Sequence, residues 1–261
     1  MKKPSIAIDG MNLALPHGTG VATYARNLAE ALTATDHEVS VLYGAPISPK
    51  ATSLLKEIQL YDYLGAEKRA SSTGKAPRID RVIKTYINDA FSAAKGVKAT
   101  PINQSGQIER RRLASKIPQG AAIYNARNLF RVARSFFKRH GKFLEISFEK
   151  SPDIMHWTYP VPIRAKGSIN VYTIHDLIPL KLPYTTLDDK KYYYNLIEQC
   201  VANSKKICTV SEASRSDIEK LFPRSKGKVF NTYQSVFGRA PSEMQSIVEL
   251  KRDLEGLFSL N

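Results

Sequence analysis

Cysteine is almost absent from this chain, at two of 261 residues. Cys200 falls on the apolar side of a periodic stretch and Cys208 inside a β-branched run, so both read as small buried apolar side chains. Neither stands at metal-ligand spacing from any of the five histidines, which argues against a structural zinc site. Long hydrophobic runs are missing too. None approaches the ~18 apolar residues that a membrane-spanning helix needs. The N-terminus reaches Asp9 too soon for a secretory apolar region and reads instead as a first strand, so a cytoplasmic location is expected. No serine lies in a G-x-S-x-G elbow, which leaves a hydrolase triad without support. Acidic residues are scarce as well, 24 against 39 Lys and Arg, for a net charge of +15.

The excess positive charge is localised. Residues 66–142 hold eighteen Lys and Arg against four Asp and Glu, so nearly all of the net charge sits in that one segment. Charge so concentrated implies an anionic partner or surface. The hydrophobic fraction of 43% is ordinary for a globular protein, and 261 residues allow one large α/β domain or two small ones.

Short β-branched runs that end in polar residues recur along the chain. Residues 5–10, 38–43, 153–157, 169–174, 206–210 and 228–233 read as strands. Helices are expected at about 21–33, 187–204 and 212–222, from apolar spacing such as Val21, Tyr24, Ala25, Leu28, Ala31 and Leu32. A further helix is expected over 242–258. Strand, loop, helix and strand within the first 43 residues open a doubly wound α/β fold. Residues 44–150 break that rhythm and read as a largely helical, basic excursion from the sheet, with its best helix at about 121–139.

Ligands in such sheets bind at the C-terminal strand ends. His175 and Asp176 end one strand there; His175 reads as a donor to a sugar or phosphate, as a general acid/base, or as a satisfied rim histidine. Ser211 and Glu212 end another, as a polar ligand wall or as a plain helix cap. His156, Trp157, Thr158 and Tyr159 end a third, stacking on a sugar or filling the sheet edge. Gly18, Thr19 and Gly20 precede a helix N-terminus. They form either a tight β–α turn or a loop that admits an anion, and neither a full G-x-G-x-x-G nor a P-loop lysine accompanies them. Arg127, Arg131, Arg134 and Lys138, interleaved with Phe130, Phe136 and Phe137, suit an anionic membrane surface, nucleic-acid phosphates, or a core-packed helix with solvated charges.

Taken in order, four stretches resemble the N-terminal domain of the family-4 retaining glycosyltransferases of GT-B fold, mannosyl- and rhamnosyl-type enzymes of bacterial surface polysaccharide assembly in particular. They are Ile6–Gly10 with Gly18–Leu28, then Tyr172–Pro179, Cys208–Ile218 and Val229–Val236. The resemblance implies a Rossmann-like parallel sheet with flanking helices over residues 1–240, the basic insertion included, and an interdomain helix or linker over 241–261. It implies that the Gly18–Gly20 loop approaches donor diphosphate and acceptor, and that His175 contacts the transferred sugar, with Asp176, Ser211 and Glu212 beside it. The donor would be a GDP- or UDP-sugar, with no bound metal or other cofactor, because basic side chains and helix dipoles stabilise the leaving diphosphate.

Family members continue into a second Rossmann-like domain that holds the donor, and the chain stops about where it would begin. The expectation is therefore an acceptor-binding half, inactive alone and completed by a C-terminal domain or a partner subunit. Its acceptor would be a lipid-linked glycan and its location the inner face of the cytoplasmic membrane, with Arg127, Arg131, Arg134 and Lys138 toward anionic lipid. A non-catalytic glycan- or lipid-binding module is the first rival. A nucleic-acid-binding protein is the second, although no recognition motif accompanies the charge.

Overall fold

Strand β1 (Ile6–Asp9) is buried at all four positions, as a strand covered on both faces must be. The computed structural model describes residues 3–15, 20–66 and 96–235. After β1 come α1 (Gly20–Ala34), β2 (Val39–Tyr43), α2 (Ser53–Gly65), β3 (Val97–Ile102), β4 (Ala122–Asn125), α3 (Leu129–His140) and β5 (Leu144–Phe148). Then follow β6 (Ile154–Trp157), β7 (Ile163–Ala165), β8 (Ile169–Thr173), the short α4 (Ile178–Lys181), α5 (Lys190–Asn203), β9 (Lys206–Thr209), α6 (Glu212–Leu221) and β10 (Val229–Asn231). The strands lie in the order β10-β9-β8-β6-β1-β2-β4-β3-β5-β7.

The seven strands from β10 to β4 are mutually parallel, which makes this an α/β, Rossmann-like sheet with flanking helices. The chain builds outward from β1 in both directions, to β2 on one side and β6 on the other, with Ile8 opposite Val41 and His156. That reversal of direction creates a switch point at β1 and β6, where such sheets open a crevice beyond the C-terminal strand ends. One face of the sheet packs Ile8, Val41 and Tyr43 against α1 and α2. The other packs Ala7, Leu42, Met155 and Tyr172 against α3 and α5.

The middle of the chain is not a helical excursion from the sheet. Residues 97–102, 122–125 and 144–148 are strands β3, β4 and β5. β4 extends the parallel sheet, β3 pairs antiparallel to it, and β5 and β7 continue in the reversed direction. The sheet then curls back on itself: the Tyr172 hydroxyl on β8 donates to the Ile163 carbonyl on β7 at 2.6 Å. The expected helix over 121–139 is therefore two elements. Its first residues form β4, and the helix begins only after Asn128, whose left-handed φ of 55° turns the chain. α3 closes at Gly141, also left-handed, with Lys138, Arg139 and His140 in its last turn, where cations favour the helix dipole. Other expected strands and helices stand within three residues of their observed bounds; α2, α4 and β7 were not foreseen. The expected helix over 242–258, like the linker over 241–261, lies outside the described residues.

Candidate functional site

The switch point carries a buried polar cluster. Asp9 ends β1 and is fully buried. Its Oδ2 accepts the Thr158 backbone N–H at 2.5 Å and the Thr158 hydroxyl at 2.9 Å, across the gap between β1 and β6. Its Oδ1 accepts the Met11 N–H at 3.2 Å. Burial pushes the carboxyl up to about 6, against the opposing pull of those hydrogen bonds.

His175 stands one strand further along. Its Nε2 lies 2.9 Å from the Thr158 carbonyl, and it is half-buried. Burial lowers its pKa, with the Thr158 carbonyl and Asp176 opposing, so the ring is neutral near pH 7. Tyr24 of α1 meets it edge-on, with centroids 5.0 Å apart. The Tyr24 hydroxyl lies 3.1 Å from Thr173 Oγ1, which is also 2.7 Å from His156 Nε2. His156 is buried, and desolvation, aided by the charge of His175, lowers its pKa to about 4. Burial raises the Tyr24 phenol to about 12. The cluster thus holds two neutral imidazoles and one buried carboxyl.

A cleft of about 200 Å³ adjoins this cluster on the other face of the sheet, lined among others by Met11, Arg134, Tyr159, Tyr192 and Tyr193. Tyr193 ties it to the strand end by donating to the Asp176 carbonyl at 3.1 Å. Arg134 and Lys138 both lie over the Tyr192 ring, at 5.5 and 5.6 Å from its centroid. Aromatic walls with a cation and exposed carboxylates at Asp188 and Asp189 suit a polyhydroxylated ligand.

The other residues singled out in the sequence fall as follows. The Asp176 carboxylate accepts the Ile178 N–H at 2.9 Å and so shapes its own turn. Ser211 caps α6, accepting the Ser214 N–H at 3.1 Å. Glu212 accepts from Asn231 Nδ2 at 2.9 Å and pairs with Arg215 at 3.7 Å. Gly20 is the first residue of α1, and a Cβ there would meet nothing within 4 Å. Gly18 and Thr19 lie outside the described residues. Arg127, Arg131, Arg134 and Lys138 are all exposed. Their apolar neighbours are not: Leu129, Val132 and Phe137 are buried against the sheet. Those three already pack on the sheet, so α3 offers a surface its charges and not its aromatic face.

Burial pushes the Cys208 thiol up to about 11 and the Cys200 thiol still higher, so neither is a thiolate nucleophile. Among the described residues no group of three or more His, Cys, Asp or Glu could hold a metal ion. No helix among them is long and apolar enough to cross a membrane. Asp9, Thr173 and Tyr24 were missed as site residues, whereas Thr158 lies in the His156–Tyr159 strand end that the sequence singled out. The only signal for the missed residues was that two of them, Asp9 and Thr173, end strands.

The fold and cluster define an α/β domain with a polar, aromatic-walled crevice at its strand switch point. No protein-family model matches the chain, and no curated protein matches it. Among solved structures, a mutant of S. aureus TarM in complex with Fondaparinux, α-GlcNAc-glycerol and UDP is similar at a TM-score of 0.41 and 12% identity, over 93% of this chain and 64% of that one. The chain thus spans less than two thirds of the length of that structure, and a likeness at this level does not assign a fold or an activity.

Proposed function

We propose that this chain is the acceptor-side domain of a GT-B glycosyltransferase of the family-4 kind, which transfers a mannose-like hexose from a GDP- or UDP-sugar to a lipid-linked or polysaccharide acceptor. The observation that carries the reading is the placement of His175. It stands at a C-terminal strand end beside the switch point, neutral near pH 7 and anchored through Nε2, and its neighbour Asp176 accepts through its carbonyl from Tyr193 of the tyrosine-walled cleft on the other face of the sheet. In this reading His175 contacts the transferred sugar, and Tyr159, Tyr192 and Tyr193 pack against acceptor rings. Gly18, Thr19 and Gly20 leave room for the donor diphosphate. Asp176, Ser211 and Glu212 shape the neighbouring strand ends. The domain covers residues 1–240, residues 241–261 lead away from it, and a C-terminal domain or partner subunit supplies the donor site.

The enzyme works at the inner face of the cytoplasmic membrane, held by charge. Arg127, Arg131, Arg134 and Lys138 are exposed, Arg134 at the cleft itself, and each such cation near an anionic surface is worth about 1 kcal/mol. Saturation-transfer NMR with a panel of lipid-linked hexosides tests the acceptor role. Sugar protons should receive saturation from the wild-type chain and lose it in Tyr192→Ala; no transfer from the wild type to any member refutes the reading. Co-sedimentation tests the membrane role. Reversing the four cations to Glu should abolish binding to anionic vesicles, whereas equal binding of the wild type to neutral vesicles would count against it.

A further inference from the structure

Thr158 stands between two residues that no local sequence pattern connects. Below it lies Asp9, which takes both of its donors on a single carboxylate oxygen, at 2.5 and 2.9 Å. Above it lies His175, whose Nε2 is 2.9 Å from the Thr158 carbonyl. A carbonyl oxygen has no proton to give, so Nε2 must carry one. In the neutral ring that leaves Nδ1 as the acceptor, and the second hydrogen bond of an imidazole decides which nitrogen faces its ligand.

Asp9 is poorly explained by stability alone. It is fully buried and faces no cation in an ion pair among the described residues. A buried carboxylate of that kind is costly unless its hydrogen bonds are needed for something. What these bonds do is geometric. They fix the Thr158 N–H and the side-chain χ1 together, so that ψ is the one soft rotation left to the residue. The carbonyl direction then follows from the packing of Thr158, which is itself fully buried.

We propose that Asp9 is a positioning residue for His175: its carboxylate clamps Thr158, and the Thr158 carbonyl holds the imidazole as an Nε2–H donor with Nδ1 left for the ligand. This rests on the reading of His175 as a site residue and adds to it what sets the orientation of the ring.

The test is solvent exchange of the His175 Nε2–H proton, followed by ¹⁵N-edited NMR on the free protein. In the wild type the proton should be resolved and slow to exchange. Asp9→Asn keeps the shape, but its amide cannot accept both Thr158 donors and the Met11 N–H at once. Exchange should then be about tenfold faster, because bonds to a charged acceptor are the stronger ones. Circular dichroism establishes whether the variant is folded. If it is not, Thr158→Val removes only the hydroxyl donor, and exchange should again be several-fold faster than in the wild type. A wild-type exchange rate in Asp9→Asn, or in Thr158→Val if Asp9→Asn does not fold, overturns the proposal. No glycan enters this measurement. Failure of the chain to bind any lipid-linked hexoside would therefore refute the functional reading and leave the clamp standing, and the converse also holds.

Discussion

Replacing His156 by Gln should change how stability depends on pH, and the size of the change follows from the burial of two groups. His156 is buried, with Nε2 2.7 Å from Thr173 Oγ1, and its pKa falls from 6.5 to about 4. Its contribution to stability is full above pH 6.5 and is lost as pH falls toward 4, because the unfolded chain binds the proton more readily. At ~1.4 kcal/mol per pH decade, that loss is about 3 kcal/mol at pH 4. Asp9 works in the opposite sense. Its pKa rises from 3.8 to about 6, so its contribution is present at low pH and is lost as pH rises through that window. The two offset each other in the wild type between pH 7 and 4. Gln can still bond the Thr173 hydroxyl but does not titrate, so only the Asp9 effect survives. His175 titrates in both proteins, and its repulsion with His156, lost in the variant, is part of the His156 effect. Against the wild type, His156→Gln should therefore gain about 3 kcal/mol between pH 7 and pH 4. Urea unfolding followed by circular dichroism, at half-unit steps of pH, measures this directly. Parallel stability curves for the two proteins would refute the reasoning, since they would mean that His156 keeps its ordinary pKa in the fold.

Two further substitutions separate fold from site. Asn125 ends β4 and clamps the chain after β2, accepting the Ala45 N–H at 2.8 Å and donating to the Ala45 carbonyl at 3.1 Å. Asn125→Ala leaves both buried groups unpaired and should cost about 2–5 kcal/mol, read as a lower urea midpoint with an unchanged slope. Gly20→Ala should leave the thermal midpoint unchanged or slightly raised, because among the described residues nothing lies within 4 Å of its Cβ. In the proposed function that open space belongs to the ligand, so the same variant should bind lipid-linked hexosides at least several-fold more weakly in the saturation-transfer assay.

The parallel part of the sheet was legible because its strands are buried on both faces. Such strands read as apolar runs closed by polar residues; β1 and β6 have that form, while β8 and β9 keep a β-branched or apolar centre behind an exposed first residue. The middle was not legible, for reasons that its residues show. β3 contains Pro101, and a proline argues against an interior strand. β3 divides its pairing, however: Val97–Ala99 bond to β5, and Thr100–Ile102 bond to β4. Pro101 falls where the ladder with β5 has ended. The boundary between β4 and α3 carries neither Gly nor Pro. Ala126 and Leu129 continue an apolar pattern of helical spacing from Ile123, yet Ile123 points into one core cluster and Leu129 into the other. Only the left-handed turn at Asn128 separates them, and an asparagine in that conformation leaves no breaker for the sequence to reveal.

The site was half legible, and the division is informative. His175 stood out because it follows a β-branched run directly, which is local information. Its supports did not, because they depend on pairing. Asp9 and Thr158 are 149 residues apart, and Tyr24 and Thr173 are also 149 apart. Each pair meets only because β1 lies beside β6 and α1 packs on the face that carries His156. The same distinction resolves the basic helix. Helical periodicity correctly placed Arg131, Arg134 and Lys138 on one side and Leu129, Val132 and Phe137 on the other, but it cannot say whether lipid or the sheet covers the apolar side. The sheet does, with α5 packed beside it, and Tyr192 of α5 then receives both Arg134 and Lys138 over its ring. Of the charges that looked like a detached membrane anchor, Arg134 is thus part of the cleft wall, and Lys138 shares the Tyr192 ring with it. A ligand that enters that cleft meets Arg134, the Tyr192 ring beneath it and the carboxylates of Asp188 and Asp189 as a single surface.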